Sequence, residues 1–103
     1  MYIEKIEDEL YHLKREKETF GDFRFVSVDG GAKRLEKLHV SEKVSPGQVL
    51  EIFELIQAYV RQHDIPALQV ESHSDSLDIL LQHQQFHLKD VEKRLWIYQV
   101  NHR

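Results

Sequence analysis

Residues 35–71, LEKLHVSEKVSPGQVLEIFELIQAYVRQHDIPALQVE, decide the fold of this 103-residue chain. A strand pattern ends near Val40, and the segment Ser45-Pro46-Gly47-Gln48 then begins a helix. In it, Ser45 is a good N-cap, proline suits the first helical position, and Gln48 can complete a capping box. The helix should extend to about His63, and its apolar face consists of Val49, Ile52, Phe53, Ile56, Tyr59 and Val60. The alternating segment Ala67–Glu71 follows, so the order strand, helix, strand predicts a parallel βαβ unit with a right-handed crossover.

On the N-terminal side of this unit the sequence predicts a β-hairpin. Residues 23–28, FRFVSV, are rich in strand formers, and Asp29-Gly30-Gly31 is a strong turn signal. The return strand covers residues 35–40. Because Leu35 is out of phase with the later apolar residues of that strand, we expect a bulge or a late strand start.

The first twenty residues predict a helix over residues 2–19. Ile3, Ile6, Leu10 and Leu13 recur at spacings of three and four, which places them on one stripe. Acidic residues lie near its start and basic residues near its end, as the helix dipole favours, and Gly21 can stop it. Two interpretations stay open: the stripe packs on the sheet of its own chain, or it pairs with a second subunit.

The C-terminal third predicts a short helix and a final strand. Residues 72–75 supply caps for the helix, which should end near Phe86 and turn Leu77, Leu80 and Leu81 inward. The strand covers residues 94–100 and is apolar on both faces, so we expect both to be covered. Cover by the helices is favoured for the face of Trp96 and Tyr98, and a subunit contact is the alternative.

Together these elements predict a single α+β domain over residues 1–103. Its order is α-β-β-α-β-α-β, with a mixed sheet, helices packed on it, an N-terminal helix over residues 1–20 and an α/β core over residues 22–101.

Composition excludes several function classes. The chain has no cysteine, which excludes disulfide frameworks, thiolate catalysis and cysteine zinc sites. A net charge of −4 argues against nucleic-acid binding. No apolar run is long enough to span a bilayer and no secretory signal precedes the fold, so we expect no membrane contact and a cytoplasmic location.

The polar motifs do not predict a catalytic or metal site. His83 and His87 have the i, i+4 spacing of metal ligands, but the helix should end before the second of them. His73-Ser74-Asp75 contains the residue types of a hydrolytic triad, but adjacent residues cannot orient one another as a triad requires. Ser74 and Asp75 are better explained as helix caps.

From about Phe23 to Val100, the order of elements resembles the C-terminal portion of the GNAT N-acetyltransferase fold. The segment Leu38-His39-Val40-Ser41 is similar to the strand that ends at the acyl-CoA site, and Gln85-Phe86 stands where such proteins often have Gly-Phe. The resemblance implies an open sheet with a cofactor site beside the helix that begins after Ser45. It covers part of a GNAT domain, whose first strand and two helices have no counterpart in the predicted order.

The residues that carry the chemistry of that family do not match. Its signature is an Arg/Gln-x-x-Gly-x-Gly/Ala turn whose backbone amides hold the pyrophosphate. The matching segment here is Ser45–Leu50, in which Pro46 removes one amide donor and Gln48 and Leu50 replace glycines. The tyrosine that commonly serves as general acid would fall at Leu81, which cannot transfer a proton.

The sequence therefore predicts a non-enzymatic protein-interaction or homodimeric module without a cofactor or metal. The candidate interface consists of Ile3, Ile6, Leu10, Leu13, Trp96 and Tyr98. The alternative is an acetyltransferase-like or acyl-CoA-type ligand-binding protein with a degenerate cofactor loop. For a ligand of that kind, or an unidentified one, the candidate cleft rim consists of Ser45, Gly47, Ser72 and His73.

Overall fold

The structure, a computed structural model, describes residues 1–100 and consists of one mixed sheet with two helices. The elements are β1 (Tyr2–Lys5), β2 (Leu10–Arg15), β3 (Glu18–Ser27), β4 (Lys33–Val40), α1 (Pro46–Gln62), β5 (Ala67–Glu71), α2 (Asp75–His83), β6 (His87–Asp90) and β7 (Leu95–Gln99), with a 3-10 turn at Asp29–Gly31. The strands lie in the order β1-β2-β3-β4-β5-β7-β6. Only β4 and β5 pair in parallel among these neighbours. The predicted α+β class and mixed sheet are confirmed.

The central βαβ unit forms as predicted. The backbone amide of Ser45 donates to Gln48 Oε1 at 2.7 Å, and the amide of Gln48 donates to Ser45 Oγ at 3.4 Å, which is the capping box. The expected bulge is also present in β4. Asp22 lies opposite His39 and Arg24 opposite Glu36, so β4 has one extra residue between these pairs, and Lys37 there has a φ of 52°.

The predicted N-terminal helix over residues 1–20 is wrong, and the order α-β-β-α-β-α-β is wrong at its start and omits β6. This segment forms β1, β2 and the beginning of β3 instead. In β2 the alternation of period two prevails, because it buries both Tyr11 and Leu13 on one face. Gly21 does not stop a helix; it lies in β3, where a Cβ atom would come within 2.7 Å of the carbonyl oxygen of His39.

Both helices cover the same face of the sheet. Their buried side chains join one core cluster with strand residues that share a face by register: Tyr11, Leu13, Phe23, Phe25, Leu35, Ile52, Phe53, Ile56, Val60, Leu68, Val70, Leu81, Phe86 and Trp96. The prediction that helices cover the face of Trp96 is thereby confirmed. On the opposite face of β7, Ile97 packs with Ala32 and Ala67 in a small second cluster, so this strand is covered on both sides.

The opposite surface of the sheet, which we call the helix-free face, is largely polar. Across β2 to β5 it presents His12, Asp22, Arg24, Arg34, Glu36, Gln69 and Glu71. The ion pairs on it include Lys14 Nζ, 3.6 Å from Glu4 Oε1, and Arg34 Nη1, 3.7 Å from Glu71 Oε1. Because its side chains are polar, this face needs no covering helix.

Candidate functional site

A cleft opens where β4 and β5 separate. The two strands pair only between residues 33–35 and residues 68–70, and β4 continues beyond this point through its bulge to Val40. The space between them has a volume of about 500 Å³. Its apolar lining includes Leu38, Val49, Phe53 and Leu77, and its polar lining consists of Arg34, Glu36, Lys37, Glu71 and His73. The structure therefore has a cleft beside α1, between two strands that separate.

Part of the charge around this cleft is already paired. The Arg34 guanidinium donates to Gln69 Oε1, at 3.1 Å from Nη2 and 3.4 Å from Nε, and lies against Glu71. These contacts tie β4 to β5 at the closed end of the cleft. The Lys37 side chain is exposed on the bulge, and the His73 side chain is exposed after the end of β5.

The start of α1 offers few backbone donors to a ligand. The amides of Ser45 and Gln48 both bond within the capping box, and Pro46 has no amide hydrogen. The amide of Gln48 also reaches the carbonyl oxygen of Ser45 at 3.0 Å. Of this turn, only Gly47 keeps an amide for which residues 1–100 supply no acceptor. A pyrophosphate at this helix start would therefore meet one open donor.

The structure separates the four predicted rim residues. His73 lines the cleft. Ser72 is buried, at 3% exposure, and its hydroxyl donates to the carbonyl of Ser74 at 2.9 Å. Ser45 and Gly47 lie at the start of α1 and do not line the cleft. The first residue of α1 that lines it is Val49. The polar side chains of β4 were missed, although the bulge expected after Leu35 was the signal that could have indicated them.

The six predicted interface residues are also separated. Leu13 is fully buried and Trp96 is 9% exposed, so both serve the chain's own core. Ile3, Leu10 and Tyr98 are half-buried, and Ile6 is 41% exposed after the end of β1. A shared helical stripe does not exist, since β1 and β2 replace the helix.

A hydrogen-bonded cluster fixes the start of α2 beside the cleft. Asp78 accepts from the Trp96 indole N–H at 3.0 Å and pairs closely with the Arg94 guanidinium, which also reaches Asp75 at 3.2 Å. Hydrogen bonds from the Arg94 guanidinium and the Trp96 indole lower the pKa of the Asp78 carboxyl below 3.8. These contacts join α2 to β7 and hold the segment that carries His73.

This cluster predicts a pH dependence of stability. Because the pKa of Asp78 is lower in the folded chain, its contribution is present above the unfolded value of 3.8 and is lost as the pH falls through the folded value. In thermal unfolding over this acid range, Asp78→Asn should therefore lose less stability on acidification than the wild type. Asp75→Asn is the matched control, because the Asp75 side chain is fully exposed. An unchanged slope in Asp78→Asn would contradict the assignment.

His83 and His87 do not share a helix, since α2 ends at His83 and β6 begins at His87. Within residues 1–100 no three His, Cys, Asp or Glu side chains lie close enough together to hold a metal ion. In the same range no helix has the length and apolar character that crossing a bilayer requires.

Comparison with solved structures identifies the fold. A GNAT family acetyltransferase from Elizabethkingia anophelis with acetyl-CoA bound is 16% identical, with a TM-score of 0.67 over 88% of this chain and 75% of that one. An IAA acetyltransferase from Bacillus cereus is 13% identical, with a TM-score of 0.64 over 79% and 56%. An AtaT–AtaR complex bound to DNA is 13% identical, with a TM-score of 0.58 over 87% and 66%. No family model and no curated protein sequence matches the chain.

The chain thus has a GNAT-like fold, and the predicted resemblance is confirmed. It spans about 56–75% of the length of these three neighbours. The predicted order contained no strand before the hairpin, whereas the structure has β1 and β2 paired there. Residues 6–9 connect these two strands without a helix.

Proposed function

We propose that this protein uses an acetyltransferase-like fold for protein–protein contacts and does not transfer acetyl groups. The observation that carries the proposal is the closed capping box of α1, which occupies the Ser45 and Gln48 amides where an acyl-CoA pyrophosphate would need donors. The resemblance places the family's general acid at Leu81, which is fully buried and cannot transfer a proton. The two amides cannot be freed without breaking the helix cap, and Leu81 cannot be moved without breaking the core.

We further propose that the protein self-associates through the β1 edge of the sheet. β1 pairs with β2 in regular register, whereas the other edge strand, β6, pairs with a shift between Leu88 and Asp90. A bulge disfavours edge pairing with another chain, so β1 is the better template for a second copy. The exposed Ile6 follows this strand and adds apolar surface at the same edge.

A native mass spectrum of the full chain, recorded alone and with acetyl-CoA, tests both proposals. We expect a dimer that takes up no acetyl-CoA. Ile6→Asp should shift the population toward monomer, with a dissociation constant raised at least about tenfold. Val91→Asp is the matched control, since Val91 is 75% exposed and follows the opposite edge strand. A monomeric wild type would contradict self-association.

A stoichiometric acetyl-CoA complex would contradict the first proposal and favour the second candidate, an acyl-CoA-type ligand-binding protein. The observation in favour of that candidate is the cleft between β4 and β5. Leu77→Arg, which places a bulky charge in the cleft, would then abolish the complex if the acyl-CoA lies there. Retention of the complex in this variant would place the ligand elsewhere.

We also propose that the protein does not bind nucleic acid and that it is cytoplasmic. A net charge of −4 supports the absence of nucleic-acid binding, although one structural neighbour is a complex bound to DNA. The absence of cysteine supports a reducing compartment, and we propose the cytoplasm.

A further inference from the structure

A polar pocket separate from the cleft lies between α1, the end of α2 and β7. Its volume is about 360 Å³. On α1, Glu54, Gln57 and Arg61 line it, and their spacing of three and four residues places them on one helix face. His83 and Gln84 line it from the end of α2. No step of the proposed function uses this pocket.

Gln57 at the base of the pocket is 96% buried, with a relative exposure of 4%. Its side-chain Nε2 donates to the carbonyl oxygen of Gln84 at 2.9 Å, whereas Oε1 accepts no hydrogen bond from residues 1–100. Every fully buried side-chain N or O atom in this part of the chain has a partner. Oε1 therefore belongs to the small part of Gln57 that remains accessible, and this part opens into the pocket.

Opposite charges stand on the two sides of this acceptor. Glu54 lies one helical turn before Gln57, and Arg61 lies one turn after it. Neither side chain forms an ion pair within residues 1–100. Arg61 Nη1 donates to the Tyr98 hydroxyl at 2.8 Å, which holds the guanidinium beside the pocket and leaves most of its five N–H donors open.

We propose that this pocket binds a small zwitterion of the α-amino-acid type. The ammonium group, which has three donors, bonds to Gln57 Oε1 and to the Glu54 carboxylate. The carboxylate bonds to the Arg61 guanidinium, whose planar fork suits two carboxylate oxygens. Along α1, Gln57 and Arg61 are about 6 Å apart, a separation that the long arginine side chain covers.

The test is an NMR titration of the ¹⁵N-labelled full chain with glycine, L-alanine and L-glutamine. At about 10 mM ligand, the site is mostly occupied even if the Kd is near 1 mM. We expect shifts of the Gln57 side-chain amide and the Arg61 Nε–H. N-acetyl-L-alanine lacks the ammonium group and L-alaninamide lacks the carboxylate, so each should bind at least about tenfold more weakly.

Two variants assign the charges. Glu54→Gln and Arg61→Gln should each weaken binding about tenfold or more, and both residues are exposed, so the fold should persist. Glu51→Gln is the matched control, because Glu51 is an exposed acid of α1 outside the pocket. Absence of shifts at 10 mM, equal binding of N-acetyl-L-alanine, or unchanged binding in both pocket variants would each overturn the proposal.

Discussion

Replacing Leu13 with alanine is expected to lower the free energy of unfolding by about 2–5 kcal/mol, the usual cost of deleting a fully buried leucine side chain. Leu13 has no exposed surface and lies in the same cluster as Phe23 and Ile52. The loss combines the transfer free energy of the removed atoms with the cost of the cavity that remains. Urea unfolding followed by circular dichroism measures the difference.

Leu10→Ala is the matched control for this experiment. In β2 the residues Leu10 and Leu13 face opposite sides of the sheet, and Leu10 lies on the helix-free face opposite Arg24. The control should therefore lose only about 1 kcal/mol. A helix would place both leucines on one stripe, so equal losses in the two variants would contradict the strand assignment.

Replacing Phe25 with alanine is expected to lower the free energy of unfolding by about 3–5 kcal/mol. Phe25 is 1% exposed, and its ring centroid lies 4.9 Å from that of Phe23, 5.0 Å from that of Tyr11 and 6.0 Å from that of Tyr59. The substitution removes three aromatic contacts together with the buried area. Against a total of about 5–15 kcal/mol for a domain, this is a large fraction, which chemical denaturation will show.

The neighbouring residue Val26 supplies the control for Phe25. Val26 points to the helix-free face and is half-buried, so Val26→Ala should cost about 1 kcal/mol. If Phe25→Ala does not fold, Phe25→Leu should fold with a smaller loss, about 1–2 kcal/mol. A smaller loss in Phe25→Leu than in Val26→Ala would contradict the central place of this ring in the core.

The sequence allowed prediction of the fold where local signals agree with one another. The N-cap, proline and glutamine that start α1 all favour the same boundary, and the next strand alternates regularly. The turn at Asp29–Gly31 was also predictable, because Gly30 and Gly31 adopt φ angles of 75° and 81° that favour glycine. In these segments tertiary structure adds to what short-range chemistry already specifies.

Prediction failed where two periodicities compete. Residues 3–13 fit a helical stripe as well as the period-two alternation of a strand. The connection between β2 and β3 contains no glycine or asparagine to indicate a turn. In this connection Glu16 adopts a φ of 56°, a left-handed backbone conformation that glutamate does not favour. β6 was missed because it is short and largely exposed, so its side chains carry no burial pattern.

The site was predictable only in part. The resemblance to the GNAT fold implied a site beside α1, but the lining of the cleft depends on where β4 leaves β5. That point is set by the bulge at Lys37 and by the Arg34 contacts across the two strands, which are long-range features. The pocket at Gln57 could not be predicted, since a glutamine on the apolar side of α1 shows no sign of its partner at Gln84.

The strand order has a consequence for how the chain folds. β1 to β4 are neighbours in both the sequence and the sheet, whereas β4 reaches β5 only across residues 41–66. Closing short loops costs less conformational entropy, and low sequence separation accompanies fast folding. We therefore expect the four-stranded meander to form first, an order that φ-value analysis of β2 and β7 can test. The cleft, which needs both β4 and β5, would be completed late, after the α1 crossover closes.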